Sequence, residues 1–123
     1  MAVFVKVRLM DVVTVPDEAW RRYGAPASGM HGDFVLAATT TAVPLLVIEL
    51  DDKSHLRPEV RERDQFKDQA LAAAGVPLLR VRVAARYDLA DLRARIGQVI
   101  QLLAAAFLGH CERRVDQVQR SAV

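Results

Sequence analysis

At 123 residues, 52% of them hydrophobic, the chain carries enough apolar material for one domain with a true core and leaves no room for two. A net charge of only +2 allows phosphate binding without demanding it, and a single cysteine, Cys111, rules out a disulfide framework and fits a reducing compartment. No basic-then-apolar leader opens the chain. The longest apolar stretch, Ile96 to Leu108, is interrupted by Gln98 and Gln101 and is too short to span a bilayer, so a cytoplasmic protein with no membrane contact is expected.

In chain order, Val3 to Leu9 alternates with Val3, Val5, Val7 and Leu9 on one face, which reads as a strand. Pro16-Asp17-Glu18 opens a short helix through Arg22, and Gly24 to Gly32 is a loop rich in Gly, Ala, Pro and Ser. Two apolar runs, Asp33 to Ala38 and Leu46 to Leu50, flank the polar loop Thr39-Thr40-Thr41 and predict a β-hairpin. A helix follows from Pro58 to Ala74. Pro58 suits its first position, Glu59 and Glu62 favour its positive N-terminal end, and Gly75 with Pro77 ends it. Pro77 to Val83 is a further strand, and Asp88 caps a long closing helix of about 88–118. There is no repeat and no interdomain linker, so residues 1–123 are expected to form a single domain with its core in 3–91.

The second strand of the hairpin begins as a buried run and ends in Glu49, Asp51 and Asp52, and a buried sheet takes carboxylates only if something partners them. A turn centred near Thr41 pairs Ala37 with Leu45, Val35 with Val47 and Asp33 with Glu49. Opposed side chains lie about 5 Å apart, and Asp51 projects from the same face two residues beyond Glu49. Three carboxylates converge in this register. They repel unless protonated or bridged, and an all-oxygen cluster with room for water suits Mg²⁺ or Mn²⁺ better than zinc. On the following helix Val60, Asp64, Lys67, Leu71 and Ala74 form one stripe, apolar toward the C-terminus, which turns Asp64 and Lys67 toward the carboxylates. Lys67 is then either half of a buried ion pair with Asp64 or a cation that offsets charge developing on a phosphate.

The residues Asp33-Phe34-Val35-Leu36, Leu46 to Asp52 with His55, Arg63-Asp64 with Lys67-Asp68, Leu71, Gly75 and Pro77 to Arg80 resemble an uncharacterised bacterial domain-of-unknown-function family, itself similar to the very-short-patch-repair-like branch of the PD-(D/E)XK nucleases. The resemblance covers most of 3–91. It implies an α/β, restriction-endonuclease-like fold, a mixed sheet of about four strands flanked by helices. It also implies that Asp33 is the first metal-binding aspartate, that Glu49 is the acidic residue of the second motif, and that Asp51 stands where many members have lysine. Lys67 becomes a substitute lysine from the helix, and His55 a proton shuttle or phosphate contact. The family's usual first helix is missing ahead of Val3, and the tail beyond Leu108 has no counterpart.

The expected activity is Mg²⁺- or Mn²⁺-dependent hydrolysis of a phosphodiester in nucleic acid, DNA ahead of RNA, with Asp33, Glu49 and Asp51 on the metal and Asp64 in support. Arg57, Arg61 and Arg80 are the candidate nucleic-acid contacts. The alternative is a catalytically inactive, nuclease-derived module that binds nucleic acid or protein or serves as a dimerisation domain. On the closing helix Leu89, Leu92, Ile96, Val99, Leu103 and Ala106 keep a three-four spacing widened by Ile100 and Phe107, which fits a homodimer or packing on its own sheet equally well. A zinc set of His31, Asp33, His55 and Cys111 lacks ligand spacing, no Gly-rich phosphate loop is present, and neither Ser54 nor Cys111 has the setting of a nucleophile.

Overall fold

A computed structural model describes residues 1–13, 17–19, 21–22 and 25–121, with the side chains of 19, 25, 54, 55 and 107–121 outside the description. The chain divides into two compact units, Met1–Arg86 and Tyr87–Val123.

The first unit is a four-stranded mixed sheet in the order β1-β2-β3-β4, built from β1 (Ala2–Arg8), β2 (His31–Ala37), β3 (Pro44–Asp51) and β4 (Leu78–Arg82). β1 with β2 and β2 with β3 run antiparallel, and β3 with β4 runs parallel. Parallel neighbours need a crossover, and here it is a helix over Pro58–Ala73. Two short helical segments precede it, so α1 is Leu9–Val12, α2 is Ala25–Ala27 and the crossover is α3. A 3-10 turn covers Asp17–Ala19 where a helix through Arg22 was expected, and a second covers Lys53–Leu56.

The hairpin register agrees with the expectation at Val35 opposite Val47, but a bulge between Leu36 and Ala37 moves Ala37 from Leu45 to Pro44. The turn tightens there through Ala38 N–H to the Val43 carbonyl and Ala42 N–H to the Ala38 carbonyl, with Ala42 in the left-handed region at φ 57°. Beneath α3 the core gathers Leu9, Val13, Ala27, Met30, Val35, Val47, Leu71 and Val76, with Phe66, Ala70 and Leu78 packed against it. Leu36, Leu46, Ile48 and Val81, alternating to the other sheet face, are buried as well. A strand forms where the alternation at residues 3–9 predicts one, but Val3 and Val5 are exposed, Val7 packs against the core only partly buried, and the fully buried Leu9 already belongs to α1.

Pro58 starts α3, and Gly75 closes it at φ 72°. The Val76 N–H reaches the Leu71 carbonyl at 2.9 Å and the Gly75 N–H the Ala72 carbonyl at 3.1 Å, a Schellman closure whose two apolar ends, Leu71 and Val76, both join the core. The second unit contains α4 (Leu89–Ser121), begun by Asp88, whose Oδ1 accepts from the Ala90 and Asp91 N–H groups at 3.0 and 3.1 Å. Among the described residues no helix is long and apolar enough to cross a membrane.

Candidate functional site

The paired part of the β2–β3 ladder stops at Phe34 opposite Ile48. Just past it, the next free donor on β3, the Leu50 N–H, goes to Asp33 Oδ2 at 2.8 Å. The Asp33 side chain thus occupies the point where the strands part, and continuing the register sets it level with Glu49. Along β3 the side chains on the α3 face run Val47, Glu49, Asp51, from core to rim. Along α3 the matching row is Leu71, Lys67, Asp64. Laying one row on the other brings Glu49 to Lys67, with Nζ 3.0 Å from Oε2 and side chains only 6% and 11% exposed. Lys67 also donates to the His31 carbonyl at 2.9 Å, which ties the start of β2 to α3.

A cleft of about 280 Å³ opens over these groups. Its charged lining is three carboxylates, Asp33, Glu49 and Asp64, and three cations, Lys6, Arg63 and Lys67. Lys6 comes from β1 and places Nζ 2.8 Å from Asp33 Oδ1. Burial pushes the Asp33 carboxyl up, but the hydrogen bonds from Lys6 and the Leu50 N–H, with the charges of Lys6 and Lys67, outweigh it and hold the group below its ordinary value. The same contact raises Lys6. One atom is left over: Glu49 Oε1 is buried and accepts no hydrogen bond among the described residues. A buried carboxylate oxygen without a donor is costly and calls for a water or an ion.

These observations bear directly on whether the donor set suits a divalent cation. Asp33 and Glu49 offer oxygens into one cleft, and Glu49 Oε1 has no other partner among the described residues. Gly32 keeps the space beside it open, since a Cβ there would lie 3.8 Å from Oε1 and only 3.0 Å from Val47 Cγ1. Mg²⁺ is commonly held by one or two carboxylates plus waters and substrate phosphates, so the pair fits that ion. It does not make an all-protein cage, because among the described residues no three His, Cys, Asp or Glu side chains are grouped to hold a metal.

The remaining expected site residues fall elsewhere. Asp51 pairs with Arg80 at 3.1 Å, and Arg80 also meets Asp68 at 2.6 Å and Asp64 at 3.7 Å. Burial lowers the Arg80 guanidinium, but these carboxylates outweigh it and keep it charged. The third carboxylate of the expected cluster and one of the three expected arginines are thus partners in an ion-pair network beside the cleft, linked to it through Asp64. Arg57, at the N-cap of α3, and Arg61, in its first turn, are exposed. The His55 side chain lies outside the described residues. Reading the sequence missed Lys6 and the His31 carbonyl. Lys6 gave a signal only in hindsight, as one of two charges, with Arg8, in an otherwise apolar strand, and the His31 contact is made by backbone and leaves no side-chain signature.

Residues 1–100 match the model of a family described as a protein of unknown function, DUF2726. The chain belongs to that family. The match spans every element of the first unit and the start of α4, and so includes each residue of the cleft. No curated protein and no solved structure matches the chain.

Proposed function

We propose that this DUF2726 chain is a metal-dependent phosphodiesterase acting on nucleic acid, with the cleft of Asp33, Glu49 and Lys67 as its active site. The observation that carries the reading is the buried Glu49 Oε1, without a donor among the described residues, beside Asp33 in a cleft that also holds a fixed lysine. An acid pair with a lysine is the constellation of the PD-(D/E)XK nucleases, and the resemblance to their very-short-patch-repair-like branch supports the same assignment. Asp33 and Glu49 would hold Mg²⁺ or Mn²⁺, which supplies Lewis-acid polarisation of a phosphate oxygen and makes water a better nucleophile. Lys67 has three N–H donors and spends two on Glu49 and His31, so one remains to stabilise charge developing on the phosphate. Its position needs no adjustment during reaction, because both bonds are already made.

A second reading keeps the cleft as a nucleic-acid-binding module without hydrolysis, and it is favoured by Asp51, the third expected metal carboxylate, being paired with Arg80 instead. The two are separated by titrating Mn²⁺ into wild type, Asp33→Asn and Glu49→Gln in a calorimeter, then incubating each with end-labelled single- and double-stranded DNA. Hydrolysis predicts metal binding and cleavage in wild type, both lost in the variants. DNA binding with no cleavage under any divalent ion assigns the module instead.

A further inference from the structure

The cleft holds a lysine that the proposed mechanism leaves unused. Lys6 sits mid-strand at φ 52°, in the left-handed region that L residues other than glycine seldom adopt. The ladder keeps one register on either side, Val5 with Phe34 and Val7 with Gly32, and skips Lys6 itself. From that backbone the side chain, 71% exposed, reaches across to an Asp33 side chain that is only 21% exposed. Lys67 is held quite differently, with two hydrogen bonds and 11% exposure. One lysine is locked inside the cleft. The other is tethered at its rim by a single bond to the carboxylate that a divalent cation would need.

Charge balance decides the fate of Lys6 once a cation takes that carboxylate. With three cations facing three carboxylates, the cleft lining is neutral. A divalent ion shared by Asp33 and Glu49 leaves it with an excess of two positive charges, and the ammonium of Lys6 then has no counter-charge at Asp33. A phosphodiester is the anion that the metal-site reading already brings to the same place. We propose that Lys6 is an exchangeable counter-ion, which gives up Asp33 when a divalent cation is bound there and moves its ammonium onto a phosphate of the nucleic acid at the mouth of the cleft. The inference rests on the metal-site reading. It makes cation and nucleic acid bind cooperatively, each strengthening the other by the same factor.

Calorimetric titration of Mn²⁺ into wild type, Lys6→Met, Lys6→Gln and Lys6→Arg tests the first half, and binding of a short labelled oligothymidylate with and without Ca²⁺, used to withhold cleavage, tests the second. Lys6→Met and Lys6→Gln should bind Mn²⁺ about two- to fivefold more tightly than wild type, the range expected on removing a competitor held by an exposed ion pair. Ca²⁺ should tighten oligonucleotide binding by wild type and Lys6→Arg, and that gain should shrink in Lys6→Met and Lys6→Gln to the part the ion itself contributes through its own contact with the phosphate. Wild type that binds Mn²⁺ while the neutral variants bind it no more tightly, or keep the whole Ca²⁺-dependent gain, overturns the exchange and leaves the metal site standing. Wild type that binds no Mn²⁺ overturns the metal site and the exchange with it.

Discussion

Lys67 and Glu49 bury opposite charges against each other, and their bond is part of the fold as well as part of the site. Removing one member of such a pair strands the other, at a cost of about 3–5 kcal/mol, so Lys67→Met should lower stability by that order in urea unfolding. Replacing both, as Glu49→Gln with Lys67→Met, should recover most of the loss because no charge is left behind. Asp33 gives a separate handle through pH. Its folded pKa is lowered, so it contributes stability above the ordinary aspartate value of about 3.9, and that contribution fades as pH falls through the lower folded value. The stability difference between wild type and Asp33→Asn, tracked by thermal unfolding from neutral pH downward, should stay level to about pH 5 and then shrink. An unchanged difference at the lowest pH would sink that account. At this scale the acidic residues were legible, because carboxylates in a buried run demand a partner. Which partner was not, since the choice between Lys67, Lys6 and Arg80 depends on strand order.

α3 was the most readable element, and the reason lies in its two ends. Its three-four stripe set Asp64 and Lys67 on the side of Leu71, and the contacts agree. Ala74 is the exception: it is exposed, because the helix has already turned off at the Schellman closure. Two substitutions measure what fixes the helix in place. Leu71 is fully buried, so Leu71→Ala should cost about 2–5 kcal/mol depending on how far the core can relax. Gly75→Ala puts a Cβ at φ 72° and should cost about 1 kcal/mol, read as a lower denaturation midpoint with an unchanged denaturant slope. β1 was the least readable. Period-two alternation tells which residues share a face and not which face is covered, and this strand lies at the sheet edge with Val3 at 60% and Val5 at 64% exposure.

Across the molecule, charge is local and not global, since a net charge of +2 hides a neutral cleft, an arginine tied to three carboxylates and an exposed Arg57–Arg61 pair at the start of α3. If this exposed arginine ridge meets nucleic acid, Arg57→Ala should weaken binding at every sequence tested and lower the salt slope on duplex DNA by about 0.9 for the lost phosphate contact, whereas Arg80→Ala should act chiefly on stability. The order of strands and helices was legible in the sequence, and the mixed sheet was an expectation of the family resemblance. The ion-pair network around Arg80 was not legible, because it exists only once β4 has docked parallel to β3 and set Arg80 beside Glu49. The bonds that build the cleft span 36 residues from Lys67 to His31, 27 from Lys6 to Asp33 and 18 from Lys67 to Glu49. Contacts so remote in the chain come after the closure entropy of the intervening loops has been met. If the cleft is assembled on the downhill side of the folding barrier, Lys67→Met should accelerate unfolding while leaving the refolding rate nearly unchanged, whereas slowed refolding would place the Lys67 contacts in the transition state.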